Sequence, residues 1–202
     1  MLETTGLACE RGGLRLFSDL GFSLAPGGLL RVRGANGSGK TTLLRALAGL
    51  TRPAAGAIRW RGAPIGEEYR GEMLFMGHMP AVKDELTVLE NLAFSARLAG
   101  LACAGGDLGK ALERLGVERL AGLPARFLSQ GQRRRVALAR LALSAATPLW
   151  LLDEPFTALD ADGIERLCAL CGAHLAAGGL LAYSSHQDAA IASGAAQEVA
   201  LP

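Results

Sequence analysis

The chain is expected to adopt an α/β fold around a mostly parallel sheet, and three features carry that expectation. Short apolar runs alternate with longer stretches of helical period. Two of these runs, Met73-Leu74-Phe75-Met76 and Leu149-Trp150-Leu151-Leu152, are apolar at every position, as in strands covered on both faces. A third strand-like run, containing Leu29, Leu30 and Val32, leads into a glycine-rich loop and then into a helical run at 42–50.

Taken in order, residues 2–8 and 14–33 alternate in polarity and carry turn signals at Gly12-Gly13 and Pro26-Gly27-Gly28, so they are expected as short antiparallel strands. A helix at 40–50 ends near Gly49, with Pro53 beyond it. Ile58-Arg59-Trp60-Arg61-Gly62 reads as a strand and turn, and 73–76 as a buried strand. From 87 to about 123 the period is helical, with Leu89, Leu92, Phe94 and Leu98, then Leu108, Leu112 and Leu115. A loop-like break separates the two groups from Gly100 to Gly109. Residues 129–146 form a strong helix followed by Pro148, then come a strand at 149–152, a helix at 161–177 and a strand at 180–183. The 202 residues suit one domain. Its core is expected at about 1–86 and 147–202, with a helical subdomain at about 87–146 inserted between them.

Half of the residues are hydrophobic, enough for a substantial core, and the net charge of +2 is too mild to argue for nucleic acid. No apolar run approaches the roughly 18–20 residues that span a bilayer. The first residues, Met1-Leu2-Glu3-Thr4-Thr5, lack a basic region followed by an apolar stretch, so a cytoplasmic chain is expected. Of the four cysteines, Cys9, Cys103, Cys168 and Cys171, the last two form C-x-x-C within an Ala/Leu-rich helical segment. Without a second ligand pair or a redox context they read as reduced, partly buried thiols.

Three motifs carry chemistry. Gly34-Ala35-Asn36-Gly37-Ser38-Gly39-Lys40-Thr41 fits G-x-x-x-x-G-K-[ST], the phosphate-binding loop. Its glycines let successive N–H groups point at phosphate oxygens, and the following helix aims its positive end at the same anion. Lys40 is placed to reach the β- and γ-phosphates, and the Thr41 hydroxyl to ligate Mg²⁺. Leu149-Trp150-Leu151-Leu152-Asp153-Glu154 is an apolar strand ending in two carboxylates beside that loop. Asp153 there suits the Mg²⁺ shell and Glu154 suits a general base for the attacking water. Third, Ser129 is a good N-cap before the Arg-rich helix that runs through Gly131, Gln132 and Arg133-Arg134-Arg135. Its hydroxyl, the Gly131 N–H and the helix dipole make a second anion site. One domain cannot readily turn two such sites on one γ-phosphate, so a head-to-tail pair of chains is expected. Arg134 is expected on a solvated helix face.

Together these motifs resemble the ATP-binding cassette (ABC) family, over nearly the whole chain. That family's signature, usually LSGGQ, stands here as Leu128-Ser129-Gln130-Gly131-Gln132. The resemblance implies a phosphate-loop NTPase fold with an antiparallel β subdomain and an inserted helical subdomain. It also implies ATP and Mg²⁺ as cofactors, contacts to ATP from Thr42, Ser129, Gly131, Gln132 and Asp160, and ATP hydrolysis coupled to transport. Phe156-Thr157-Ala158-Leu159-Asp160 looks like the loop through which two subunits communicate, and Ser184-Ser185-His186 like the switch histidine on the γ-phosphate. The implied partners are a second copy of the chain and integral membrane permease subunits, at the cytoplasmic face of the bacterial inner membrane. Two other classes fit the motifs less well. Cassette proteins acting on DNA or ribosomes usually carry a coiled-coil insertion or two cassettes, and a plain nucleotide kinase leaves the Ser129 motif and the Asp160 loop unexplained.

The chain departs from the family pattern twice. Arg11 stands where an aromatic commonly stacks on adenine; a guanidinium plane can also stack on a base. His78, in Gly77-His78-Met79-Pro80, stands where the family has a glutamine after the third core strand, and is expected to affect coupling. Cys9-Glu10-Arg11, the Gly-His-x-Pro segment and the run from Val82 to Leu92 look like one branch, the ATP-binding subunits of heme exporters in bacterial cytochrome c maturation. No residue reads as a direct heme site.

Overall fold

The computed structural model describes residues 1–101, 105–186 and 189–202. Cys103, expected as a reduced thiol, lies outside them. Two sheets organise the chain. Strands β1 (Leu2–Arg11), β2 (Leu14–Leu24), β4 (Ala55–Trp60) and β5 (Ala63–Pro64) form an antiparallel sheet in the order β2-β1-β4-β5. Strands β3 (Gly28–Arg33), β6 (Met73–Met76), β7 (Leu149–Asp153), β8 (Leu180–Ser184) and β9 (Ala195–Ala200) form a sheet in the order β6-β7-β8-β3-β9, with every pairing parallel.

The period of two explains how this sheet is covered. Along β7, Leu149 and Leu151 face one apolar cluster while Trp150 and Leu152 face the other. The first cluster lies between the parallel sheet and the antiparallel sheet, with helix α1 (Lys40–Leu47) packed inside it through Leu43, Leu44 and Leu47. The second is built with helices α3 (Val88–Leu98), α4 (Gly105–Arg114), α5 (Gln130–Leu143) and α6 (Ala161–Ala176). A short helix, α2 (Glu67–Gly71), precedes β6 and buries Tyr69, whose hydroxyl donates to Leu47 O at 2.7 Å.

Helix ends follow side-chain chemistry. Thr87 caps α3 and Ser129 caps α5, each in a reciprocal box with the residue three places on, Glu90 and Gln132. Asp160 caps α6 by accepting from Gly163 N at 3.0 Å. Cys9 and Cys171 are buried, Cys168 is half-buried, and all three are free thiols.

Two expectations about elements need correction. The 14–33 segment was expected to be antiparallel throughout, but β3 leaves that arrangement and pairs in parallel with β8 and β9. Gly27 N donates to Gly179 O at 2.9 Å, so the Pro26-Gly27-Gly28 turn delivers the chain to the core sheet instead of closing a hairpin. Helix α4 begins at Gly105, inside the expected Gly100–Gly109 break. No helix among the described residues is long and apolar enough to cross a membrane.

Candidate nucleotide site

The phosphate loop runs from the end of β3 into α1. Gly39 caps that helix at φ +104°, and a Cβ there would press within 3.1–3.2 Å of Leu16 and Phe17. Both facts select glycine. Lys40 is buried, and its Nζ donates to Gly34 O at 2.9 Å and Ala35 O at 3.1 Å. Nζ also lies 3.1 Å from His186 Nε2. An ammonium only donates, so Nε2 accepts and the ring carries its proton on Nδ1.

The acidic pair at the end of β7 meets the loop as its order implies. Thr41 Oγ1 donates to Asp153 Oδ2 at 2.8 Å, and Ser184 Oγ donates to Asp153 Oδ1 at 2.7 Å. Glu154 takes the left-handed conformation at φ +49°. For a residue with a side chain this costs on the order of 1–3 kcal/mol and persists only where neighbours fix it. Glu154 Oε1 lies 3.4 Å from His186 Nε2, is shielded from solvent, and has no aligned hydrogen bond. Nε2 already accepts from Lys40 and offers Oε1 no proton, so this carboxylate oxygen is left as an open acceptor in the site.

Arg11, Lys40, Thr41, His78, Glu154 and His186 line a single cleft of about 460 Å³, together with Asn36, Gly37, Gly39 and Thr42. Asp153 stands behind Thr41, only 1 % exposed. The donors converging there, a threonine hydroxyl backed by a carboxylate, are hard oxygens of the kind that suit Mg²⁺. Ser38 Oγ is buried in the loop with no hydrogen-bond partner, a polar atom that an incoming phosphate oxygen would satisfy.

The remaining candidates are elsewhere. Ser129, Gly131, Gln132 and Asp160 line a second cleft of about 430 Å³ that shares no lining residue with the first. Ser129 is exposed; its oxygen accepts the Gln132 N–H at 3.2 Å, and its N–H donates to Gln132 Oε1 at 2.9 Å. The cap leaves the serine O–H hydrogen to point outward. Asp160, beyond capping α6, pairs with Arg135, which also donates to Asp162 Oδ2 at 2.6 Å. Hydrogen bonds from Arg135 hold both carboxyls below the ordinary aspartate range, assisted by Gly163 N–H at Asp160 and by Arg166 at Asp162.

Arg134 is not on a solvated face, as was expected, but is 4 % exposed beneath the Glu154 turn. Desolvation lowers its pKa against the raising influence of the Asp153 and Glu154 charges. The misreading has a physical source. A run of three arginines looks solvated, and the acceptors that bury this one come from distant segments, Gly77 and His78 on one side and Asp153, Glu154 and Pro155 on the other. Ser184 was likewise present in the sequence without a role. Its place directly after the strand expected at 180–183 was the available signal; the pairing of that strand with β7 is what gives it Asp153 as a partner.

Comparison with known proteins places these features in a family. Residues 17–157 match the ABC transporter family. The chain is 46% identical over 204 residues to the cytochrome c biogenesis ATP-binding export protein CcmA of Dechloromonas aromatica, covering 100% of each chain. It is 44% identical over 207 residues to the protein of that name from Escherichia coli K12, covering 100% of this chain and 96% of the other. Among solved structures, the ATP-binding subunit of an ABC transporter aligns with TM-score 0.80 at 28% identity, covering 92% of this chain and 79% of that one. The cassette MJ0796, solved as a dimer in a post-hydrolysis state with ADP and Pi, shares the fold with TM-score 0.80 at 22% identity, covering 93% and 88%.

Proposed function

The chain belongs to the ABC transporter family, and from that premise we propose that it is the ATP-hydrolysing subunit of a membrane exporter serving cytochrome c maturation. Within that role Thr41 and Asp153 would hold Mg²⁺, whose charge would offset that of the phosphates. Lys40 binds the β- and γ-phosphates while the Gly34 to Gly39 backbone cradles them. Glu154 takes the proton of the attacking water, and His186, which stands beside both Lys40 and Glu154, contacts the γ-phosphate. Arg11 stacks on the base.

The observation that carries this reading is the separation of two anion sites on one chain, in clefts that share no lining residue. Two copies arranged head to tail place the Ser129 turn of each over the nucleotide of the other. ATP then closes the pair, and hydrolysis reopens it. The segment 87–146 acts as the helical subdomain, which meets the permease together with the loop from His78 to Glu85. In the resembled branch this cycle moves heme, or releases it from a periplasmic chaperone, and we assign this chain the same task at the cytoplasmic face of the inner membrane. Purification from the native membrane tests the assignment. A multi-span membrane protein recovered with the chain supports it, as does heme-loaded chaperone accumulating when Glu154 is replaced by Gln. Recovery of ribosomes or nucleic acid instead overturns it.

A further inference from the structure

We propose that Arg134 is a positioning residue that fixes Glu154 for proton abstraction and locks the His78 loop to the same turn, so that α5, Glu154 and His78 move together. This rests on Glu154 being the base. A guanidinium has five N–H donors, and in this chain each one finds a main-chain carbonyl. Nε donates to Pro155 O at 3.3 Å, and Nη2 to Asp153 O at 3.1 Å and Glu154 O at 2.6 Å. Nη1 donates to Gly77 O at 3.3 Å and His78 O at 3.0 Å.

The five carbonyls belong to two segments, those leaving the neighbouring parallel strands β6 and β7. Glu154, left-handed at φ +49°, is held at both main-chain groups: its N–H by Ser184 Oγ at 2.9 Å and its carbonyl by Arg134. The flanking arginines reach other parts of the machinery. Arg133 pairs with Asp84 farther along the loop that starts at His78, and Arg135 pairs with Asp160 and Asp162. The helix capped by Ser129 therefore grips the segments around both clefts, and Arg134 is its link to the reacting one. A lysine, with three donors on a point charge, cannot span both segments.

The test compares Arg134→Gln and Arg134→Lys in the full chain, with kcat read from phosphate release and affinity from titration with a fluorescent ATP analogue. We expect kcat to fall about tenfold to a hundredfold in both variants. Affinity should stay within about threefold of the unsubstituted chain. In the Glu154→Gln background, Arg134→Gln should add no further loss in single-turnover hydrolysis, because the two act as one unit. Affinity falling in step with kcat, full activity in Arg134→Lys, or losses that multiply in the double variant would each overturn the proposal. Where Arg134→Gln does not fold, Arg134→Lys keeps the cation, and the split between kcat and affinity is read from it alone. Glu154→Gln by itself separates the two claims: unchanged turnover there removes the base assignment, whereas slow turnover there with active Arg134 variants removes only the positioning role.

Discussion

Ser184 and Asp153 share a 2.7 Å hydrogen bond, hydroxyl to carboxylate, where their exposures are only 0 % and 1 %. The same serine oxygen accepts the Glu154 N–H at 2.9 Å. One side chain on β8 thus orients the carboxylate behind Thr41 and anchors the turn that carries the proposed base. Ser184→Ala leaves the Glu154 N–H unpaired and removes a charge-assisted bond. We expect unfolding free energy to drop by about 2–3 kcal/mol, read by urea denaturation, together with slower ATP turnover. A variant as stable as the original would show that the hydroxyl contributes nothing at this position.

Glu154→Gln keeps the shape of the turn and removes the proton acceptor. Hydrolysis should fall by at least about 100-fold while ATP remains bound. With ATP and Mg²⁺ the variant should elute as a dimer, measured by light scattering alongside phosphate release. Unchanged turnover would exclude Glu154 as the base.

The parts of this site that were legible in the sequence are those set by local chain geometry. The phosphate loop declares itself because its glycines, Lys40 and Thr41 act within a few residues of one another. The strand ending in Asp153-Glu154 is apolar at each earlier position because both its faces are covered. The parts that were not legible depend on partners distant in sequence. Arg134 is buried by carbonyls at 77–78 and 153–155. The direction of β3 is fixed by pairing with β8 and β9, which no turn signal at 26–28 can encode. β9 itself, Ala195–Ala200, lies at the sheet edge with mostly exposed residues, so it lacks the apolar pattern that marks a strand.

His78 lines the phosphate cleft while its carbonyl is bound by Arg134. The residue therefore stands at the edge of that cleft with its backbone tied to α5. His78→Gln preserves the backbone anchor and restores a side-chain oxygen. ATP affinity should stay within about threefold, while stimulation of hydrolysis by the membrane partner changes. Titration showing an equal loss of nucleotide binding would place His78 in binding and not in coupling.

His174 lies on Trp150 with ring centroids 3.8 Å apart and planes inclined by 3°. Its Nε2 is 3.2 Å from Leu180 O, and a Cβ added at Gly179 would come within 2.2 Å of the ring. Burial lowers its pKa below 6.5, outweighing the raising influence of the Leu180 and Ala145 carbonyls. The unfolded chain takes up a proton near 6.5 and the folded chain resists it. Below that value protonation therefore favours unfolding, so this residue makes stability decline as pH falls. Urea midpoints at about pH 7.5 and about pH 5.5 measure the effect. His174→Phe keeps an aromatic ring on Trp150 and cannot titrate, so its midpoint should fall less between the two pH values. An equal fall in both proteins would assign the pH dependence to other groups.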